Sequence, residues 1–200
     1  MIDYGASNIR SAQKAFEYVG AAVRLTADPD VVRRAERLVL PGVGAFGASI
    51  DALRAKGLDT AIQEAVNDGT PLLGICLGMQ FLFEASDEMG MHRGLGLVPG
   101  HVTRFDLAAY GLKVPHMGWN QIDIVDKNPL VAGIPNSAHA YFVHSYYCVP
   151  SETGDIVAQT DYGRPFASII AHNSVYGIQF HPEKSQQRGL QILSNYLEIT

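Results

Sequence analysis

Strand and helix patterns alternate along the first half of the chain. The segment Leu72–Ile75 is apolar throughout, without the alternation of a strand that has one face in water, so we expect a strand covered on both faces. Apolar residues at helical spacing precede it in Leu58–Asp68 and follow it in Leu77–Ala85. Because parallel strands need crossover connections, this alternation predicts a parallel sheet flanked by helices.

The second half of the chain carries mostly strand patterns, followed by one last helix. The predicted strands are Val98–Phe105, Trp119–Val125, Ala140–Val149, Ile156–Thr160, Ala167–Ala171 and Val175–Phe180, and the helix is Gln187–Leu197. Near the start we predict a helix at Ser7–Val19, strands at Val23–Thr26 and Arg37–Leu40, and a first strand reduced to Met1–Ile2. We therefore expect a single α/β domain over residues 1–200, with a mixed, mainly parallel central sheet and an antiparallel extension.

Composition excludes several classes of protein. Lys and Arg number 15 against 20 Asp and Glu, a formal net charge of −5, which argues against a nucleic-acid-binding protein. No apolar run approaches the roughly 18 residues of a membrane span. Two cysteines are too few for a disulfide scaffold, and no Cys/His cluster has zinc spacing. The first residues lack the pattern of a signal peptide, so we expect a cytoplasmic protein without a metal.

One cysteine stands in a glycine-flanked turn between a strand and a helix. The segment Gly74-Ile75-Cys76-Leu77-Gly78 has the pattern of a nucleophile elbow with cysteine in the serine position. A sharp turn of this kind strains the backbone at the nucleophile, and the helix N-terminus favours the thiolate. The Leu77 N–H, as a first helical amide, is free to stabilise an oxyanion. A buried structural cysteine in a glycine-rich turn is an equally good interpretation of these five residues alone.

Two further motifs complete a hydrolytic site if they lie nearby. Pro41-Gly42-Val43-Gly44 follows another predicted parallel strand, at the same sheet edge, so a peptide N–H of Gly42 or Val43 is the candidate second oxyanion donor. His181-Pro182-Glu183 places an acid two residues after a histidine, on the same side of an extended backbone. His116 and His144 are rival bases, without an acid at that spacing, and Cys148 is predicted to be a core residue.

Together these motifs resemble the class I, or triad, glutamine amidotransferases. Gly74–Gln80 and His181–Glu183 are similar to the family's nucleophile and base blocks, and the resemblance covers nearly the whole chain. The blocks that are most similar to the glutaminase subunits of histidine biosynthesis are Asp3–Gly5, Pro41–Phe46, Pro115–Asn120 and His181–Ser185. The segment Gly5-Ala6-Ser7-Asn8 departs from the family pattern, which more often has a second glycine there.

The resemblance implies a flavodoxin-like fold, L-glutamine as the substrate and no cofactor. Cys76 is then the nucleophile, His181 the acid–base, and Glu183 the residue that orients it. The implied glutamine-binding residues are Gly44, Gln80, Glu88, Ser145 and Tyr146. The ammonia would pass to a (β/α)8-barrel cyclase. Because such a barrel needs about 250 residues, this chain cannot also contain it, so the cyclase would be a separate chain in a heterodimer. The residues implied at that interface are Met117, Trp119, Asn120, Tyr141 and Lys184.

Three other functions stay open at this point. An amidotransferase subunit that serves anthranilate, nucleotide or carbamoyl phosphate synthesis would use Cys76 in the same way. A stand-alone cysteine hydrolase or peptidase could share the elbow. A binding module with a relic triad is the third alternative.

Overall fold

The computed structural model describes residues 1–7 and 9–199, and these form six α-helices and eleven β-strands. The helices are α1 (Ile9–Tyr18), α2 (Pro29–Arg33), α3 (Phe46–Ala55), α4 (Leu58–Asn67), α5 (Leu77–Phe81) and α6 (Gln186–Glu198). The strands are β1 (Leu38–Gly42), β2 (Leu72–Cys76), β3 (Phe83–Ser86), β4 (His92–Arg93), β5 (Val98–Arg104), β6 (His116–Ile124), β7 (Ala138–His144), β8 (Tyr146–Pro150), β9 (Ile156–Asp161), β10 (Pro165–His172) and β11 (Val175–Ile178).

The described strands form a mixed central sheet in the order β1-β2-β11-β10-β9-β6-β7. Strands β1, β2 and β11 are parallel, and the remaining neighbours pair antiparallel. The predicted α/β class, a mixed sheet flanked by helices with an antiparallel extension, is confirmed, but the sheet is not mainly parallel, since only two of its six described strand pairs are parallel. The late strand β11 pairs with β2 in the register Ile178↔Ile75, so the chain segments after both strands leave the sheet at one edge.

Residues of β2 pack into two apolar clusters, one on each face of the sheet. Leu72 belongs to a cluster with α3, α4 and α5, whereas Leu73 and Ile75 belong to a cluster with α1 and α6. Leu72 and Leu73 are both fully buried. The continuous apolar pattern of this strand therefore reflects burial on both faces, as the sequence predicts.

One predicted element ends earlier than its pattern suggests, and another is divided into two strands. The helix Leu77–Ala85 stops at Phe81, because loop amides of Leu95 and Leu97 bind the carbonyl groups of Phe81 and Leu82, and β3 begins at Phe83. The predicted strand Ala140–Val149 is two strands, β7 in the central sheet and β8 in a second sheet of order β4-β3-β5-β8. The chain changes sheets at Ser145, whose carbonyl accepts the Phe105 N–H.

The N-terminal region differs most from the prediction. Val23–Thr26 is not a strand; only an isolated bridge joins Thr26 to Ile2. Helix α2 begins after the N-cap Asp28, whose side chain accepts the Asp30 N–H, with Pro29 in the first turn. That helix and α3 had no counterpart in the prediction. The Ser7–Val19 helix is present as α1 from Ile9; position 8 lies outside the described residues.

Candidate active site

Cys76 ends β2 with a backbone conformation that L-residues seldom adopt. Its φ is 55° and its ψ −113°, so the chain turns abruptly before α5 begins at Leu77. The flanking glycines permit a very close approach of strands and helix. A β-carbon at Gly78 would lie 1.8 Å from the Leu40 carbonyl oxygen, and one at Gly74 would lie 2.6 Å from the Gly78 carbonyl oxygen. The expected strained elbow is therefore present, with Cys76 6% exposed.

The His181–Glu183 pair lies at the same sheet edge because β11 is parallel to β2. Nδ1 of His181 is 2.8 Å from Oε1 of Glu183, and the two side chains are 1% and 2% exposed. The His181 Nε2 atom is buried and has no nitrogen or oxygen partner within residues 1–7 and 9–199. The neighbouring Cys76 thiol acts on this ring by raising its pKa.

The charge balance around His181 favours its protonated form. Burial by itself lowers the pKa of this histidine, but hydrogen bonds with Cys76 and Glu183 and the negative charges of both groups raise it to about 10. A protonated His181 stabilises a thiolate on one side and is held by a carboxylate on the other. This is the electrostatic arrangement that an activated cysteine nucleophile requires.

Two residues that the sequence analysis did not assign to the site, Ser185 and Gln179, contact the His181 turn and Cys76. The Ser185 hydroxyl accepts the Tyr141 N–H at 3.0 Å and donates to the His181 carbonyl at 2.7 Å, while the His181 N–H binds the Tyr141 carbonyl. Gln179 is fully buried, with its Nε2 4.0 Å from the Cys76 sulfur. The available signal was a glutamine inside an otherwise apolar strand pattern, Val175–Phe180.

A cavity of about 200 Å³ opens over the Cys76 sulfur. Its lining is formed by Val43, Gly44, Cys76, Leu77, Gln80, Glu88, Val143, His144, Tyr146 and His181. Eight of these ten residues are candidate site residues from the sequence. Gly42 is paired with Cys76 across β1 and β2, directly behind the lining, whereas Ser145 stands at the junction of β7 and β8 outside it.

The predicted substrate-binding residues are themselves hydrogen-bonded within the cavity wall. Glu88 accepts the Phe46 N–H at 2.8 Å and so fastens its loop to the first turn of α3. The side-chain amide of Gln80, 4% exposed, donates to the Tyr146 carbonyl at 3.1 Å and lies 3.2 Å from Oε1 of Gln179. These residues shape a pocket that has polar groups at fixed positions.

The alternative bases and the second cysteine are placed differently. His144 lines the cavity, but Nδ1 lies 2.8 Å from the Tyr146 carbonyl and Nε2 lies 3.1 Å from Nδ1 of His116. Both nitrogens of His144 are thus engaged, which leaves none to accept a proton from the thiol. Cys148 is a buried β8 residue, and burial raises the pKa of its thiol well above the ordinary value.

Four of the five predicted interface residues, all except Asn120, lie in a patch beside the His181 turn. Met117 and Trp119, on one face of β6, are 63% and 48% exposed. The Trp119 and Tyr141 rings are 6.1 Å apart, and Lys184 Nζ lies 5.7 Å from the centre of the Tyr141 ring. Asn120 points to the other face of β6, where its side-chain amide meets His116 and the Asp161 carbonyl.

Comparison with known proteins identifies the family. The family model for "Glutamine amidotransferase class-I" matches residues 1–199. The chain belongs to the class I glutamine amidotransferase family. It is 52% identical over 200 residues to "Imidazole glycerol phosphate synthase subunit HisH" of Syntrophotalea carbinolica, covering 98% of this chain and 97% of that one. It is 49% identical over 203 residues to the subunit of the same name from Salinibacter ruber, covering 100% and 93% of the two chains. The prediction of a glutamine amidotransferase is confirmed.

Solved structures share the fold of this amidotransferase at low sequence identity. A crystal structure described as a glutamine amidotransferase superposes with a TM-score of 0.77 at 18% identity, covering 98% of this chain and 96% of the other. The glutaminase domain of Trypanosoma brucei CTPS with bound acivicin superposes with a TM-score of 0.67 at 19% identity, covering 99% and 90%. Both show that the architecture is that of the family.

The described part of the chain offers no obvious metal or membrane site. Within residues 1–7 and 9–199, no group of three or more His, Cys, Asp or Glu side chains could hold a metal ion. No helix in the same residues combines the length and the apolar character needed to cross a bilayer.

Proposed function

We propose that this amidotransferase is the glutaminase subunit of imidazole glycerol phosphate synthase in histidine biosynthesis, a single-domain enzyme over residues 1–200. The observation that carries the chemistry is the strained Cys76 elbow, faced by the buried His181–Glu183 pair over one cavity. The choice of synthase rests on relatives that are 48–52% identical over essentially the full chain and carry that name. Two free cysteines fit a reducing, cytoplasmic setting.

Glutamine hydrolysis proceeds in two half-reactions in this proposal. The Cys76 thiolate attacks the side-chain carboxamide carbon of glutamine and forms a tetrahedral oxyanion. His181 gives its proton to the departing nitrogen, so that ammonia leaves and a γ-glutamyl thioester remains. The now neutral His181 takes a proton from water, which attacks the thioester and releases glutamate and the thiolate. Acid–base catalysis of this kind contributes about 10²–10⁴-fold to the rate.

Backbone amides on two sides of the sulfur would stabilise the oxyanion. The Leu77 N–H is the first amide of α5 and has no intrahelical acceptor. The second donor is the peptide N–H of Val43 or Gly42, next to Cys76 in the register of β1 and β2. Loss of a single oxyanion donor costs about 10²–10³-fold in rate. Gly44, Gln80, Glu88, Ser145 and Tyr146 are the proposed contacts for the rest of the glutamine molecule.

The ammonia must reach a second active site without meeting bulk water, where it would be protonated. The proposed receiver is a (β/α)8-barrel cyclase chain, which uses ammonia to make imidazole glycerol phosphate and an aminoimidazole carboxamide ribotide. The exposed patch of Met117, Trp119, Tyr141 and Lys184 is its proposed docking surface, with Asn120 behind it. Trp119 also borders a groove of about 450 Å³ next to Ser185 and Arg188, and a recess beside an aromatic anchor suits a protein partner.

The test is a glutaminase assay of the purified chain, alone and with the candidate cyclase and its nucleotide ligand. We expect low turnover alone, stimulation by the cyclase, and a stable heterodimer on gel filtration. Stimulation by an anthranilate or nucleotide synthase instead would refute the choice of synthase. Rapid peptide cleavage without any partner would refute amidotransferase coupling altogether.

A further inference from the structure

A buried histidine, His144, lines the cavity and is hydrogen-bonded to a second buried histidine, His116, and the proposed triad uses neither of them. His116 and His144 lie directly opposite each other on β6 and β7 and are 3% and 6% exposed. Nδ1 of His116 is 3.1 Å from Nε2 of His144. Apolar rings would fill this space without needing partners, so a fully hydrogen-bonded imidazole pair indicates a polar role.

The hydrogen-bond partners fix the proton positions on both rings. The Tyr146 carbonyl can only accept, so Nδ1 of His144, 2.8 Å away, carries a hydrogen. Nε2 of a neutral His144 then accepts from the His116 Nδ1–H, and Nε2 of His116 accepts from the Asn120 amide, 3.2 Å away. The second hydrogen of that amide goes to the Asp161 carbonyl. The chain of donors therefore runs in one direction, from Asn120 to Tyr146.

Burial keeps both rings uncharged. Desolvation lowers the pKa of His116 to about 4 and that of His144 to about 3, although the hydrogen bond to the Tyr146 carbonyl favours a charged His144. A proton added to His144 would place one N–H against another between the two rings. The neutral state is thus the one in which every donor meets an acceptor.

The hydrogen-bond network continues from the Tyr146 carbonyl to the Cys76 elbow. The Tyr146 carbonyl also accepts from the Gln80 amide at 3.1 Å, and the same amide lies 3.2 Å from Oε1 of Gln179. Nε2 of Gln179 in turn lies 4.0 Å from the Cys76 sulfur. Tyr146, Gln80 and His144 all line the cavity.

We propose that His116 and His144 are positioning residues for glutamine hydrolysis, which fix the Tyr146 carbonyl, and with it Gln80, in the cavity wall. The inference rests on the proposed glutaminase function. Strand β6 carries His116 and Asn120 on one face and the exposed Trp119 on the other. The same strand therefore supports the pocket wall and the proposed partner surface.

The kinetic test replaces His116 by Phe. A phenyl ring keeps the stacking against Phe142 and Tyr162, whose ring centres lie 4.8 and 4.1 Å from that of His116, and removes both hydrogen bonds. In the assembled complex we expect KM for glutamine to rise about tenfold, with kcat within about twofold, because the substrate wall is displaced while the triad stays in place.

The matched control is His172→Phe. His172 pairs with Asp155 at 2.9 Å, at the opposite end of the sheet from Cys76, and the change should leave KM unaltered. An unchanged KM in a folded His116→Phe complex would overturn the positioning role, whatever its thermal stability. Absence of cyclase-stimulated glutaminase in the wild-type complex would instead refute the proposed function.

The proton arrangement has its own test, which does not depend on a Phe variant folding. NMR of the imidazole nitrogens in the wild-type complex at neutral pH should show both His116 and His144 with hydrogen on Nδ1. Asn120→Asp sets a carboxylate against Nε2 of His116 and should add a hydrogen there, because the Nδ1 hydrogen of His116 is still needed by Nε2 of His144. Nε2–H on either ring in the wild type, or an unaltered His116 in the Asp variant, would overturn the chain of donors.

Discussion

The substitution Gly42→Ala adds one carbon atom next to the proposed oxyanion site. A β-carbon there would lie 2.8 Å from the Gly78 amide nitrogen, 2.8 Å from the Tyr4 hydroxyl and 2.9 Å from Leu77 Cβ. Ordinary contact begins at 3.4 Å, so β1 and the elbow must separate by about half an ångström. Two of the three atoms belong to the rigid start of α5, where the proposed Leu77 donor lies.

Two effects of Gly42→Ala should follow from that separation. Overpacking of this size lowers the free energy of unfolding by about 1–3 kcal/mol. Since a misplacement of about 1 Å at reacting groups costs about 10²-fold, we expect kcat of the stimulated glutaminase to fall by about 10- to 100-fold. KM should change little, because the Gln80 and Glu88 contacts lie elsewhere in the wall.

The assay compares urea unfolding of the chain with steady-state glutaminase of the complex. Gly154→Ala is the matched control, since a β-carbon there meets nothing within 4 Å, and both stability and kcat should stay near wild type. Ammonia-dependent synthesis by the cyclase should survive in both variants. A folded Gly42→Ala complex whose kcat is within about twofold of wild type would refute the placement of the oxyanion donors.

Three further outcomes are expected. An electrophilic glutamine analogue such as acivicin should modify Cys76 and spare Cys148, whose thiol pKa burial raises; peptide mass mapping that finds the adduct mainly on Cys148 would contradict the assignment. His181→Ala should nearly abolish glutaminase while Glu183→Gln keeps more residual activity, because Glu183 orients the ring without transferring the proton; equal loss in both, measured in intact complexes, would count against that division. The contribution of His116 and His144 to stability should weaken in acid: their pKa values lie below 6.5, so this contribution is present above pH 6.5 and is lost as the pH falls below it, by on the order of 1 kcal/mol per ring between pH 7 and 5.5; a His116→Phe variant should therefore lose less stability over this range, and an equally steep decline would exclude His116 as a cause.

The elbow was predictable because its physics is local. Burial of β2 on both faces leaves a continuous apolar run, and the close approach of α5 leaves glycine on both sides of Cys76. Each constraint is recorded in residues within a few positions of Cys76, even where the contacting atom, such as the Leu40 carbonyl oxygen, lies on another strand. The His181–Glu183 spacing is local for the same reason, since a carboxylate two residues away can reach Nδ1 of the ring.

Long-range contacts decide the features that the sequence did not predict. Every residue of Ala140–Val149 except Ser145 suits a strand, and only pairing with β6 on one side and β5 on the other divides the segment. Helix α3 begins with Phe46, and the small residues Gly47-Ala48-Ser49 that follow resemble a loop; burial of Phe46 and the Glu88 contact stabilise its first turn. The roles of His144 and Ser185 follow from partners on other strands, which no spacing reveals.

Strand β11 lies at the centre of the sheet but is among the last segments that the ribosome makes, so the active site can form only when translation is nearly complete. Strand β2 and Cys76 emerge early, but the neighbour that completes this part of the sheet is made about 100 residues later. That strand delivers the proposed base only when it inserts between β2 and β10. The final turn at Ser185 and helix α6 then lock the base in place. A chain released before residue 180 would carry the proposed nucleophile without the proposed base, so we expect unfinished copies of this subunit to hydrolyse no glutamine.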